Sequence, residues 1–73
     1  MMDNADYKER FKAEYHQLDI RLRKLIAMVD EWKNGKLEFK PSCPIETYEL
    51  QIEYMEKYRA ILVMRAKIEG VEL

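Results

Sequence analysis

Cysteine, histidine, glycine and proline are all scarce in this chain, and each scarcity removes a class of answer. One cysteine, Cys43, cannot close an internal disulfide. Together with the single histidine, His16, it cannot supply the three or four protein ligands that zinc takes. Two glycines and two prolines leave no glycine-rich phosphate loop and little to interrupt a helix. A surplus of one charge is also missing: 13 basic and 14 acidic residues leave a formal net charge of -1, which exerts no long-range pull toward nucleic acid or an acidic membrane. No apolar run approaches the roughly 18 residues of a membrane span, and the opening MMDNADYKER lacks a signal peptide's apolar region. The expectation is a cytoplasmic protein with neither a membrane nor long nucleic acid as partner, and a free thiol fits a reducing compartment.

What is present reads as soluble and helical. Charged residues make up 37% of the 73-residue chain and hydrophobic ones 48%, far from a disordered composition. A body this small is one domain and buries only about 60% of the surface its unfolded chain exposes. Small folds gain stability from disulfides, metals or self-association, and the first two have no ligands here. Self-association remains.

From Phe11 the apolar residues fall at Phe11, Tyr15, Leu18, Leu22, Leu25, Val29 and Trp32, alternating steps of four and three, which is a coiled-coil seam. Asp3, Asn4 and Asp6 suit the opening of this helix, and Asn34-Gly35 reads as its left-handed cap. A second helix is expected to begin at Pro44, after Ser42 or Cys43 as N-cap, with Glu46 and Glu49 early and Arg65 and Lys67 late, as its dipole prefers. Gly70 stops it and Val71 can fold back onto the last turn. The chain thus divides, within a single domain 1–73, into helix one over about 3–34, a loop over 35–43 and helix two over about 44–69.

The two helices match as an antiparallel hairpin. A register that sets Trp32 against Ile45 also sets Val29 against Tyr48, Leu25 against Ile52, Leu22 against Met55, Tyr15 against Leu62 and bulky Phe11 against small Ala66. Lys8 falls opposite Glu69 as a plausible ion pair, and the one polar intruder, Arg59 opposite Leu18, reaches Asp19 or Glu14 at the edge. Leu50, Tyr54, Ile61, Met64 and Ile68 of helix two, with Ile20, Ile26, Ala27 and Met28 of helix one, are left over. Each large apolar side chain gains about 1.5 to 3 kcal/mol on full burial, so these residues call for further copies of the hairpin. The fold class expected is all-α: an antiparallel, coiled-coil-like two-helix hairpin assembling into a homo-oligomeric helical bundle.

Enzyme chemistry is not expected, nor a metal, a cofactor or a catalytic residue. Cys43 and His16 lie far apart in sequence, His16 follows a seam residue and faces solvent, and Glu46, Glu49, Glu53 and Glu56 form a stripe without the Glu-x-x-His of a di-metal bundle. The loop GKLEFKPSCP reads as a rigid connection with Leu37 and Phe39 as apolar pegs. The amides opening helix two, beside Lys36 and Lys40, also offer an anion site, and the two readings stay open. Arg21 to Lys24, RLRK, reads as ordinary charged surface because acidic residues lie nearby. Of the five tyrosines, Tyr15 and Tyr48 belong to the seam, whereas Tyr7, Tyr54 and Tyr58 are candidates for a protomer interface, where rings stack on bases or fill partner pockets.

YKERFKAEYHQL, then GKLEFKPSCP, then Gln51, Met55 and Tyr58 in a Q-x3-M-x2-Y spacing, and finally RAKIEGVEL carry a resemblance over nearly the whole chain. The sequence resembles a widespread group of very short bacteriophage proteins of helical-hairpin type, and in size and hairpin content it is similar to small phage immune-evasion sponges. Such sponges oligomerise and sequester the cyclic nucleotides by which bacterial defence systems signal infection, without cleaving them. The resemblance implies a cytoplasmic site of action in an infected bacterium and a homo-oligomer holding a cyclic nucleotide at protomer interfaces. The side chains suited to that task are Tyr7, Tyr54 and Tyr58 for stacking, with Arg10, Arg59, Arg65 and Lys40 for phosphate. The alternative is a small helical module that lays an exposed face on a host or phage protein.

Overall fold

The computed structural model describes residues 4–73, with side chains from Asp6 onward. It contains two helices, α1 over Asn4–Lys33 and α2 over Ile45–Glu69, folded back on each other as a rod of 50 × 18 × 18 Å, and no strand among the described residues. The expected helix opening at Asp3, and the part assigned to the Asp3 and Asn4 side chains, lie outside the described residues. No helix of the described residues is long and apolar enough to cross a membrane.

The seam forms where the alternating spacing puts it. Phe11, Leu18, Leu22 and Val29 of α1 are buried against α2, whose own buried residues are Leu62 and Ala66. Leu22 and Leu62 are wholly inaccessible, so each carries the full transfer gain of a leucine. At the open end Phe11, Leu18, Leu62, Ala66 and Val71 pack as one cluster, flanked by half-buried Tyr7, Tyr15 and Met55. Nearer the loop the packing turns aromatic: the Trp32 and Tyr48 rings meet edge to face with centroids 6.1 Å apart. Burial raises the Tyr48 hydroxyl above its ordinary range, with the neighbouring Cys43 thiol as a second cause.

Both helix ends are closed by glycine in the left-handed region. Gly35 has φ 69°, and the two bonds of a Schellman closure follow, Gly35 N–H to the Trp32 carbonyl at 3.0 Å and Lys36 N–H to that of Glu31 at 2.8 Å. At Gly70, φ 71°, the Val71 N–H reaches the Ala66 carbonyl at 2.8 Å. That bond swings the Val71 side chain into the cluster, and it caps the helix and lengthens the core at once.

Three local expectations are corrected. Pro44 is the N-cap of α2 rather than its first residue: its ψ of 152° is extended, no side chain caps the helix, and the Pro44 carbonyl instead accepts the Thr47 N–H at 3.1 Å. Phe39 is 59% exposed and does not act as a peg within the protomer, whereas Leu37 is half-buried. Glu69 takes Tyr7 and Arg65 as partners instead of Lys8, because the last turn of α2 points the carboxylate at the flank carrying Tyr7.

Arg59, the polar intruder, is satisfied at the seam's edge. Its Nη1 donates to Asp19 Oδ1 at 2.7 Å, and Arg23 Nε lies 3.0 Å from the other oxygen of the same carboxylate. The Arg59 hydrogen bond, followed by the nearby Arg23 charge, holds the Asp19 carboxyl below its ordinary value of 3.8, against an opposing push from burial.

Two outcomes follow for stability. Leu62→Ala should cost about 2 to 5 kcal/mol in urea unfolding followed by circular dichroism, the range for a buried leucine whose cavity collapses only in part. A lowered folded pKa means that Asp19 stabilises above its unfolded pKa and that this stabilisation fades as pH falls through the folded value. The melting temperature of Asp19→Asn should therefore lie below wild type at neutral pH, with the gap narrowing as pH drops below 3.8. An equal gap at neutral and strongly acid pH would contradict this account of the pair.

Candidate functional site

Folding α1 against α2 leaves two long flanks, one on each side of the seam, and their charges differ. On one flank α1 contributes Asp30 and Lys33 and α2 contributes Glu49, Glu53 and Glu56, with Asp19 further along. Lys33 is tied across the helices to Glu49 at 3.2 Å, and within α2 Lys57 is tied to Glu53 at 3.5 Å, so the uncompensated charges on this flank are carboxylates. The opposite flank is lined by Arg10, Glu14, Arg21 and Lys24 from α1 and Gln51, Tyr58 and Arg65 from α2, so here the cations outnumber the one lining carboxylate.

Three adjoining hollows run along this basic flank. The first, at the open end, is walled by Tyr7, Arg10, Phe11 and Arg65. The second lies between Arg10, Gln17, Arg21 and Tyr58. The third is an open groove of about 580 Å³ with Leu25, Met28 and Met55 as its apolar floor and Arg21, Lys24 and Gln51 on its edges. An apolar floor with a few convergent polar groups is the usual chemistry of a small-molecule site.

Hydrogen bonds fix the flank's aromatic side chains. The Tyr58 hydroxyl donates to Glu14, the carboxylate lining this middle stretch, and that hydrogen bond raises the phenol above its ordinary range. Tyr7 donates to Glu69 and accepts from Arg65 Nη2 at 3.0 Å, while Arg65 Nε donates to Glu69 at 3.3 Å. The bond to Tyr7, then the bond to Glu69, holds the Arg65 guanidinium above its ordinary value, and the Tyr7 bond in turn lowers Glu69. The guanidinium also lies 4.8 Å from the Phe11 ring centroid. Arg65 is thus a fixed cation on a rigid platform. Arg10 meets Asp6 at 3.3 Å. Among the described residues, no carboxylate lies within ion-pair distance of Arg21 or Lys24.

The seven candidates named from the sequence fall into separate places. Tyr7, Arg10, Tyr58 and Arg65 come together on the basic flank. Arg59 turns to the other side, where Asp19 holds it. Tyr54, 61% exposed, stands on the outer side of α2 with Lys57 5.3 Å from its ring centroid. Lys40 is an exposed residue of the loop. Arg21, Lys24, Gln51 and Met28 line the groove and had not been singled out as a site. The signal was there in RLRK: Arg23 turns to Asp19, but Arg21 and Lys24 sit on the opposite side of α1, away from Asp19.

Comparison with curated proteins and with solved structures returned no match. The Sequestin family matches residues 5–68, nearly the whole hairpin, and its name denotes sequestration, a binding role rather than a catalytic one. The match covers all but the first residue of α1 and the last of α2, the loop and the residues lining the basic flank, and by it this chain belongs to the Sequestin family.

Proposed function

We propose that this chain is a phage-encoded immune-evasion protein that sequesters a cyclic-nucleotide defence signal, as a homo-oligomer in the cytoplasm of an infected bacterium. The observation that carries the reading is the basic flank, where Arg21 and Lys24 have no carboxylate within ion-pair distance among the described residues, beside an apolar, aromatic-edged groove. A cyclic nucleotide presents flat bases joined by phosphodiesters. Arginine offers a planar fork that matches phosphate oxygens, and lysine a point charge, so the pair suits that backbone. Tyr58 and Tyr7 present rings at the flank's upper edge, where a base can stack. The family's name supports retention of the ligand rather than its conversion.

Cleavage of a phosphodiester needs a base or nucleophile beside the scissile bond. The carboxylates on this flank are already engaged: Glu14 accepts from Tyr58, Glu69 accepts from Tyr7 and Arg65, and Asp6 pairs with Arg10. The ligand is accordingly held and released unchanged. The second reading, a module that binds a host or phage protein, draws on the exposed apolar row of α2, Leu50, Tyr54, Ile61, Met64 and Ile68.

Isothermal titration against a panel of cyclic di- and trinucleotides tests the proposal. At least one should bind, and heat-denaturing the complex should return it chemically intact. Arg21→Ala removes a charge-assisted contact of about 1.5 to 3 kcal/mol and should weaken that binding roughly ten- to over a hundredfold at unchanged oligomeric mass. Arg59→Ala, committed to Asp19, should lower stability more than affinity. A folded wild type that binds nothing in the panel would leave the protein-binding module as the reading.

A further inference from the structure

The exposed row on α2 has its own period. Leu50, Tyr54, Lys57, Ile61, Met64 and Ile68 alternate steps of four and three, a second coiled-coil seam along the whole helix. Each member lies two positions beyond a residue of the α1-facing seam, about 200° further round a helix, so the two seams occupy opposite sides of α2. Leu50, Tyr54, Ile61, Met64 and Ile68 are between 51% and 78% exposed. Such a row has nothing to pack on within the hairpin.

The row is palindromic in a way that selects its occupant. Read antiparallel about its centre near Arg59, Leu50 meets Ile68 of a second copy, Tyr54 meets Met64, and Lys57 meets Ile61, each pair occurring twice by symmetry. Positions flanking the seam on the acidic side bring Glu53 opposite Lys67 of the second copy, also twice. Run parallel and in register, the same helices set the Lys57 ammonium groups against each other inside the seam and pair neither Glu53 nor Lys67 with an opposite charge. One polar residue in an apolar seam commonly fixes orientation in this manner. We infer that a second copy of this chain covers the outer face of α2 through an antiparallel α2–α2 seam with Glu53–Lys67 pairs across it.

The pairing also completes the candidate site. On the basic side the flanking positions are Gln51, Tyr58 and Arg65, so the two-fold axis brings Tyr58 beside Tyr58 of the second copy and Arg65 toward Gln51 of the second copy. The two basic flanks become one continuous face with tyrosines at its centre. This inference rests on the homo-oligomer part of the proposed function and not on the ligand.

Charge exchange tests it. Glu53→Lys and Lys67→Glu each set like charges opposite in two places and should each raise the dissociation constant of the assembly about tenfold in sedimentation velocity. An equimolar mixture of the two variants should recover wild-type assembly, because each then supplies the charge the other needs. Ile61→Glu, at a position exposed within the protomer, should yield a folded hairpin of single-chain mass. In a Cys43→Ser background, spin labels at Ala60→Cys should lie close across the axis, while labels at Glu46→Cys should be separated by about 39 Å along the paired helices. Equal distances at the two positions would mean a parallel pair and overturn the proposal. So would a monomeric wild type at micromolar concentration, or an assembly indifferent to charge exchange and to Ile61→Glu. Intact charge exchange with no nucleotide binding would remove the sponge and keep the pairing.

Discussion

A hairpin of two helices has one internal seam, and everything else in this molecule depends on how that seam is filled. Leu22 and Leu62 are its wholly buried members, with Phe11, Leu18, Val29, Ala66 and Val71 nearly so. The small Ala66 lets Phe11 in at the open end, and the Gly70 turn lays Val71 over both. This single row fixes the rotation of each helix about its own axis. Once that rotation is fixed, so is the side of the rod on which every other residue stands.

Rotation is what sorts the charges. A chain that is nearly neutral overall becomes a rod with one basic flank and one carboxylate-rich flank. Arg59 sharpens the division. As the only charged residue opposite the seam's leucines, it reaches Asp19, which also draws Arg23 to that side. Arg21 and Lys24 stay behind on the other, with no carboxylate of the described residues in ion-pair reach. The pattern suits a protein that binds a small anion locally while exerting no long-range field on larger polyanions.

Much of the hairpin was legible in the sequence because it follows from period and from glycine. The alternating steps from Phe11 to Trp32 find their counterpart only in an antiparallel helix two, and Gly35 and Gly70 mark left-handed caps. The basic flank was less legible, since it depends on residues far apart in the chain meeting across the seam, as Tyr7 and Arg65 do, 58 positions apart. RLRK looked neutralised when read as a run, because the run does not reveal that Arg23 and Arg21 face opposite ways. Lys8 and Glu69 were matched by register alone, yet a tyrosine hydroxyl one position away makes the contact. The outer row of α2 registered as surplus apolar residues rather than a second seam because Lys57 breaks its apolar pattern without breaking its period.

The central claim is that ligand is held on the basic flank, and amide-resolved NMR addresses it most directly. The isotope-labelled chain would be titrated with the tightest-binding cyclic nucleotide of the panel. Perturbations should concentrate at Tyr7, Arg10, Arg21, Lys24, Tyr58 and Arg65, leaving Asp30, Glu49 and Glu56 unmoved. Shifts confined to the carboxylate-rich flank, or to the loop around Lys40 and Cys43, would contradict it.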